Sequence, residues 1–344
     1  MDKTNFHSGV NLGGWLSQYP AYDYSHFDTF ITPLDIRRIA DWGCDHVRLP
    51  VDYPVLEADG QAGKINEHGL AYVVAALEEC RANDLNVILD LHKAPGYSFD
   101  ELQSAALFDQ PALQTRFLDL WQEVAWRLEG TQGFVAFELL NEVNLPDGEP
   151  WNCLAHQAVE RIRSVDPDRL LVVGGNHYNA PDELEALVVP DDERILYTFH
   201  FYTPLVVTHQ FAPWQPAMLA YGQKVDYPGH AEGLDDLIAR HPDFAPEVQP
   251  LVGKRFDRNF LRKAVGPALE FARRKKQVVY CGEYGVIDRA PMETRLHWTS
   301  DLVSILREHG IGRAAWSYKA MDFGLVDELG KVVNEDLVRL ISAP

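Results

Sequence analysis

The chain alternates short apolar runs with longer amphipathic segments along almost its whole length. The runs are rich in Val, Ile, Leu and Phe, a composition typical of parallel strands that are covered on both sheet faces. Eight repeats of a strand and a helix favour closure into a barrel over an open sheet. We therefore predict an α/β protein with a single (β/α)₈ TIM barrel, whose strands lie at residues 9–16, 46–51, 86–92, 135–141, 170–174, 195–202, 278–283 and 314–318.

The main alternative is an open, doubly wound sheet, which would usually bind a nucleotide at a glycine-rich first turn. The first turn here contains Gly13, Gly14 and Trp15, which match neither that motif nor a phosphate loop. The segments between the strands carry apolar residues at helical spacing. We predict one domain over residues 1–344, with helices at residues 33–42, 69–83, 112–128, 152–165, 260–275, 292–309 and 335–341 and a short one at 181–187.

Residues 203–257, between the sixth strand and its helix, form the one long irregular connection. Connections of this length in a compact domain are usually functional or disordered. This one carries several aromatic side chains, which disordered segments typically lack. We expect an ordered loop insertion that forms a wall over the active-site face of the barrel; its aromatic residues are Phe211, Trp214, Tyr221, Tyr227, Phe244 and Phe256.

The chain carries 31 basic and 51 acidic residues, for a formal charge of −20. This charge repels phosphate backbones and anionic membrane surfaces, so neither nucleic acid nor a membrane is an expected partner. The sequence has no run of about 18 apolar residues, and its first residues lack the apolar core of a signal peptide. These features predict a cytoplasmic protein, or a secreted one if a signal peptide has been removed, and they leave the oligomeric state open.

Two of the predicted strands lead to a glutamate, Glu142 after the fourth strand and Glu283 on the seventh. In a barrel, functional side chains gather at the C-terminal ends of the strands. One carboxyl group that donates a proton and another that attacks the sugar carbon or activates water are the minimum requirement for cleaving a glycosidic bond. Each glutamate alone has a structural explanation, as a solvated loop carboxylate or as an ion-pair partner of Arg48. Their equivalent placement at two strand ends favours the catalytic interpretation.

All but the first and fifth strands end near a side chain of catalytic type, and the further candidates are Arg48, His92, Asn141, His200, Tyr202 and Trp316. A buried arginine needs an anion, and Glu283 is the natural partner of Arg48. That ion pair would keep the Glu283 carboxylate ionised near neutral pH, as a nucleophile requires. Trp316 is expected either to fill the mouth of the barrel or to stack on the face of a sugar ring.

The histidines and the other acidic residues have competing interpretations. An isolated histidine in an apolar run is often a hydrogen-bonded core residue, whereas His92 and His200 with a glutamate could form a zinc site. The sequence has no HExxH motif or other close ligand pair, so we predict neither a metal nor another cofactor. Asp90 and Glu138 lie deeper in their strands, and we assign them structural hydrogen bonds.

These residues occur in a recognisable order within seven segments, at 9–15, 47–50, 90–92, 138–142, 200–202, 282–285 and 315–317. Over nearly its whole length the chain resembles glycoside hydrolase family 5, the cellulase-like group of retaining β-glycosidases. The Asn-Glu pair at 141–142 with the Gly-Glu-Tyr-Gly segment at 282–285 is the most specific part of the match. Val143 departs from the pattern, since many relatives carry proline there, and this loosens the match to a subfamily.

The resemblance implies a retaining mechanism, with Glu142 as general acid and base and Glu283 as nucleophile. It implies that Asn141 bonds the 2-hydroxyl of the reacting sugar and that Trp316 forms the floor beneath that sugar. The remaining implied roles are contacts of Arg48 and Tyr202 with Glu283, of His92 with substrate, and of His200 with Glu142.

The resemblance also implies a β-linked oligosaccharide or polysaccharide substrate. The opening segment is similar to exo-glucanases, and residues 201–214 are similar to bacterial cellulase-like members. Both favour β-glucosidic linkages in β-glucans or gluco-oligosaccharides. A β-mannanase or β-mannosidase is the enzymatic alternative, and a catalytically inactive glycan-binding barrel is the non-enzymatic one. Endo and exo action both stay open at this point.

Overall fold

The computed structural model describes residues 1–57, 60, 62–100 and 105–343. Its strands are β1 (Ser8–Asn11), β2 (His46–Asp52), β3 (Asn86–Lys93), β4 (Val135–Glu138), β5 (Leu171–Gly174), β6 (Ile195–Phe201), β7 (Gly229–His230), β8 (Arg255–Phe256), β9 (Val279–Tyr284) and β10 (Gly312–Ala315). Eight of them close into a parallel barrel in the order β1, β2, β3, β4, β5, β6, β9, β10. The predicted (β/α)₈ barrel is confirmed.

Helices connect the barrel strands and cover the outside of the barrel. The α-helices span Tyr24–Thr29, Pro33–Asp41, Tyr53–Leu56, Glu67–Ala82, Ala106–Asp109, Pro111–Arg127, Glu149–Arg163, Leu205–Thr208, Pro216–Tyr221, Leu234–Arg240, Ala245–Val248, Arg258–Lys275, Met292–Glu308 and Glu335–Ser342. The helix expected at residues 181–187 is only a 3₁₀ turn, Glu183–Glu185, in which Leu184 alone is buried. Within the described residues, no helix has both the length and the apolar character that a membrane span requires.

Three barrel strands are shorter than their apolar runs suggest. β1 ends at Asn11, β4 at Glu138 and β10 at Ala315, whereas the runs continue for several residues. The residues beyond these ends are apolar because the loops above the barrel are themselves buried, as Leu16 and Leu140 illustrate. The candidate residues that follow β4 and β10 therefore lie on buried loops and not on the strands.

The interior of the barrel has an apolar lower layer and a charged upper layer. The lower layer contains Phe6, Ile88, Ala136, Leu170, Val172, Leu196, Tyr280 and Ala314. Asp90 and Glu138 each follow a lower-layer residue by two positions, so both point inward above that layer. Their strands pair Asp90 with Glu138 in register. The sequence alternation along β3 and β4 thus brings two carboxylates together inside the barrel.

Residues 203–257 form a compact insertion between β6 and the helix Arg258–Lys275. It contains four of the short helices and the antiparallel pair β7 and β8. His209 and Trp214 of the insertion pack against Phe323, which follows β10, with ring centroids 5.4 and 6.5 Å away. The insertion therefore reaches the C-terminal rim of the barrel, where the sequence analysis expects a wall.

Candidate active site

Arg48 is the centre of the charged layer inside the barrel. Its fully buried guanidinium donates to both carboxylate oxygens of Glu138, at 2.7 and 2.9 Å. It also lies 2.7 Å from Glu283 Oε1 and 3.1 Å from Asp90 Oδ2. Burial opposes the charged form, but these three carboxylates raise the pKa of Arg48 well above its usual value. The predicted ion pair with Glu283 is present, as one part of a larger cluster.

Both carboxylate oxygens of Glu283 accept hydrogen bonds. Arg48 donates to Oε1 at 2.7 Å, and the hydroxyl of Tyr202 donates to Oε2 at 2.9 Å. Burial raises the pKa of Glu283 to about 7, although His200 and Arg48 oppose the rise. Arg48 therefore favours the ionised form of Glu283, as predicted, but the removal of water has the larger effect on its pKa.

Glu142 lies beyond the end of β4 on a strained turn. Its φ angle of 45° is in the left-handed region, which is unusual for a residue other than glycine. The Tyr97 hydroxyl donates to the Glu142 carbonyl at 2.7 Å and accepts the N–H of Asn144 at 2.8 Å, which stabilises the turn. Burial, which Arg48 only partly opposes, raises the pKa of Glu142 to about 8. A carboxyl group in this state holds its proton at neutral pH.

His200 lies between the two glutamates and is oriented by Asn179. Its Nδ1 is 2.8 Å from Glu142 Oε1 and 3.6 Å from Glu283 Oε2. Its Nε2 is 3.3 Å from Nδ2 of Asn179, which can only donate. Burial lowers the pKa of His200 to about 4, so the ring is neutral and its one proton is on Nδ1, where it bonds to Glu142.

The carboxyl groups of Glu142 and Glu283 come close together at the mouth of the barrel. One oxygen of each and one nitrogen of His200 lie within 4.8 Å of one another. Histidine and glutamate are also residue types that bind zinc. The zinc site considered in the sequence analysis included His92, however, and His92 is not part of this group. Glu283 already has two hydrogen-bond donors on its oxygens. The arrangement fits two carboxylates that share a substrate.

Asn141 has one satisfied and one unsatisfied side-chain atom. Its Oδ1 accepts a hydrogen bond of 2.8 Å from Arg48. Its Nδ2 is buried and has no hydrogen-bond partner within the described chain. A buried donor without a partner is costly, so such groups at a site mark a place for a ligand acceptor. Asn141 therefore offers an N–H group beside the two glutamates.

Trp316 and His92 form a stacked pair near the end of β1. The two rings are parallel within 4° and their centroids are 5.5 Å apart. A Cβ atom on Gly13 would lie 2.6 Å from the indole of Trp316, so the first turn needs a glycine there. Trp316 is only 8% exposed. The indole therefore fills much of the space above β1, and its role as a floor for sugar stays a prediction.

Some residues of the site were not found by sequence reasoning. The first strand ends at Asn11, whose Oδ1 accepts from Arg48 at 3.0 Å. Asn179 follows β5. The first and fifth strands, for which the sequence analysis named no candidate, therefore also lead to polar side chains of the site. The ring of His209 packs against that of Tyr202, with centroids 5.1 Å apart. His209 also contacts Trp214, which is 48% exposed. The aromatic content of the insertion was the available signal for this group.

A glycoside hydrolase requires two carboxyl groups at about this separation, one that holds a proton and one that is charged. Here they lie at the C-terminal mouth of a (β/α)₈ barrel, where such enzymes have their active sites. Residues 8–322 match the family model described as Cellulase (glycosyl hydrolase family 5). The chain belongs to this family, as the sequence resemblance predicts.

Individual relatives agree with this assignment. Endoglucanase C of Acetivibrio thermocellus is 45% identical over 338 residues, which cover 98% of each chain. Cellodextrinase A of Ruminococcus flavefaciens is 35% identical over 308 residues, covering 89% of this chain and 83% of that protein. The crystal structure of an endoglucanase from Thermotoga maritima matches with a TM-score of 0.79 at 25% identity, covering 98% of both chains.

Proposed function

We propose that this enzyme is a retaining β-glycosidase that hydrolyses β-glucosidic linkages in β-glucans or gluco-oligosaccharides. The observation that carries the proposal is the proximity of Glu142 and Glu283, whose nearest ligand atoms lie within 4.8 Å. Retaining enzymes hold their carboxyl groups about 5–5.5 Å apart, whereas inverting enzymes need about 6.5–9.5 Å to admit a water. The similarity to an endoglucanase and a cellodextrinase supports glucose-containing substrates.

In the first chemical step, Glu283 attacks the anomeric carbon of the bound sugar and Glu142 gives its proton to the departing glycosidic oxygen. Arg48 and Tyr202 orient the Glu283 carboxylate through their hydrogen bonds. Glu142 has the higher pKa of the two groups, so it is the one that holds a proton while Glu283 is charged. The difference in their hydrogen-bond partners supports this division of roles.

In the second step, a water attacks the anomeric carbon of the glycosyl ester and Glu142 takes its proton. Ester formation has removed the negative charge of Glu283, so the carboxyl group of Glu142 is a stronger acid than before. The bond from Nδ1–H of His200 favours the ionised form of Glu142 at this stage. Cleavage of the ester restores Glu283 and gives a product of unchanged anomeric configuration.

Asn141 and the aromatic residues provide the contacts for sugar. The free N–H group of Asn141 is placed to donate to the 2-hydroxyl of the reacting ring, because its oxygen is already bound to Arg48. The exposed indole of Trp214 contacts His209, which in turn contacts Tyr202, with ring centroids 6.1 and 5.1 Å apart. Trp214 is therefore available to stack on a neighbouring sugar of the same chain.

The two raised pKa values predict a bell-shaped pH dependence of kcat/KM. The rate falls below about pH 7 because Glu283 gains a proton, and it falls above about pH 8 because Glu142 loses one.

In Glu142→Gln, hydrolysis of unactivated oligosaccharides should drop by about 10²–10⁴-fold, the usual contribution of a general acid or base. Rates measured from pH 5 to 10 on cello-oligosaccharides check both statements.

An aryl glucoside with a good leaving group separates the two roles of Glu142. The aryl leaving group departs without a proton, so Glu142→Gln should release a burst of the aryl alcohol. Turnover should then be slow, because hydrolysis of the glycosyl ester lacks its general base. The burst rate should have no alkaline limb. Glu149→Gln, on the exposed start of an outer helix, should keep both limbs. An alkaline limb that persists in Glu142→Gln would show that another group is the acid.

The substrate proposal is tested by product analysis on cello-, laminari-, gentio- and manno-oligosaccharides, with and without EDTA. We expect turnover of glucose-containing chains, products that are first released as β-anomers, and no effect of EDTA. Faster turnover of manno-oligosaccharides would favour the mannanase alternative, and α-anomers would contradict retention. Loss of activity in EDTA that zinc restores would overturn the metal-free mechanism.

A further inference from the structure

Asn179 is held against His200 by an unusual turn that follows β5. Residues 177–179 have φ angles of 46°, 60° and 56°, three left-handed residues in succession, which is rare for residues other than glycine. The backbone N–H of Tyr178 donates to the carbonyl of Val143 at 3.0 Å, so the turn is tied to the loop after β4. This turn places Nδ2 of the buried Asn179 amide 3.3 Å from Nε2 of His200.

The surroundings of Asn179 favour one orientation of its amide. Its Oδ1 is buried and has no hydrogen-bond partner among the described residues. A Cβ atom on Gly174 would lie 2.2 Å from this oxygen, so the oxygen faces the Cα–H group of Gly174. That contact is weakly favourable for an acceptor, whereas an NH₂ group in the same place would leave its donors without an acceptor. The amide therefore presents its Nδ2 donor to His200.

This donor decides where the proton of the neutral His200 ring lies during the first chemical step. Glu142 then holds its own proton, and a protonated carboxyl group can donate or accept, so it fits either form of the ring. Glu283 Oε2, at 3.6 Å from Nδ1, is too far away for a hydrogen bond. Nδ2 of Asn179 can only donate, so Nε2 accepts and the ring proton is on Nδ1.

We propose that Asn179 is a positioning residue that directs the proton of Glu142 towards the substrate. Nδ1–H of His200 donates to Oε1 of Glu142 at 2.8 Å, so the acidic proton lies on Oε2. Oε2 has no hydrogen-bond partner in the described parts of the chain, and 12% of the Glu142 side chain is exposed. With the ring proton on Nε2 instead, Glu142 would turn its proton towards Nδ1 and away from the departing oxygen.

The direction of proton transfer rests on the proposed function, whereas the position of the ring proton follows from contacts of the unliganded protein. Nitrogen-15 NMR of histidine-labelled protein at pH 6.5 tests the ring alone, with His200→Gln to assign its signals. We expect a neutral ring protonated on Nδ1. Asn179→Gly keeps the left-handed backbone and removes the donor, so the shifts of the two ring nitrogens should move towards each other. Asp84→Gly, at an exposed left-handed position with φ of 56°, is the control and should leave them unchanged.

Kinetics with two leaving groups test the positioning role. In Asn179→Gly, kcat/KM on cello-oligosaccharides should fall by about tenfold, a part of the 10²–10⁴-fold that general acid catalysis supplies. On a dinitrophenyl β-cellobioside, whose leaving group needs no proton, kcat/KM should change little. Equal losses on both substrates would indicate a merely structural role and would overturn the proposal. A wild-type ring protonated on Nε2, or ring signals and rates that do not respond to Asn179→Gly, would also overturn it.

Gly174→Ala gives a second test that keeps the Asn179 side chain and is decisive if Asn179→Gly does not fold. The added methyl group displaces the amide from His200, so the same selective loss on cello-oligosaccharides should appear. Gly148→Ala is the matched control, because its Cβ atom would make only an ordinary contact of 3.6 Å with Asn176. A wild-type enzyme that is inactive on every glucose-containing substrate would refute the proposed function and leave the NMR result in force.

Discussion

Replacing Glu283 with alanine is expected to lower kcat on β-glucosides by about 10⁵-fold, the scale of losing a catalytic nucleophile. Neither Glu138 nor Asp90 can take its place, because both are fully buried against Arg48. Asp90 and Glu138 still pair with the buried charge of Arg48 in this variant, so it should fold. Steady-state rates and a thermal melt measured on the same preparation check both parts.

Azide gives this substitution a more specific test. In Glu283→Ala a small anion can occupy the vacated space and attack the anomeric carbon of an activated aryl β-glucoside. The product should be the α-glucosyl azide, because only one displacement occurs. Glu270→Ala, on an exposed helix surface, is the matched control and should behave as wild type. A Glu283→Ala enzyme with near wild-type turnover, or a β-configured azide product, would contradict the role of Glu283.

Arg48→Met is expected to have the largest effect on stability. The substitution leaves three buried carboxylates without their shared cation, and breaking a buried ion pair from one side costs about 3–5 kcal/mol. It also removes the hydrogen bonds that orient Glu283 and Asn141. We therefore expect a lower free energy of unfolding and a loss of activity. Denaturant unfolding and kinetics measure the two effects.

The two effects of Arg48→Met can be separated by neutralising its partners. Adding Asp90→Asn and Glu138→Gln removes two of the unbalanced charges, so part of the stability should return. Activity should not return, because Glu283 still lacks its donor. Arg274→Met removes an exposed ion pair with Glu185 and should change neither quantity measurably. Full stability in Arg48→Met itself would mean that the carboxylates around it are not charged.

The residues on strands were predictable from the sequence because a strand has a simple geometry. Side chains two apart share a face, and the C-terminal ends of parallel strands meet at one rim. Arg48, His200 and Glu283 could therefore be assigned to one site from their positions in apolar runs. The family resemblance then supplied the roles, which the contacts in the structure suit but which kinetics must still test.

The loop residues of the site were not predictable in the same way. Gln18 and Asn179 both have backbone angles in the left-handed region, with φ of 49° and 56°. Nothing in the local sequence demands that conformation. The N–H of Gln18 donates to Asp52 from β2, and the side chain of Asn179 contacts His200 from β6. The sequence pattern therefore gave no reason to place Gln18 beside His92 or Asn179 beside His200.

The sequence alone determined the number and order of the β-α units and the residue types at the strand ends, because periodicity and local composition are properties of neighbouring residues. Only the tertiary structure decided the surroundings that raise the pKa of each carboxyl group. The pKa values of Glu142 and Glu283 depend on burial and on charges brought from β2, β3 and β4. The positions of those charges are fixed only after the barrel has closed, and so the different surroundings of the two glutamates are a product of the fold.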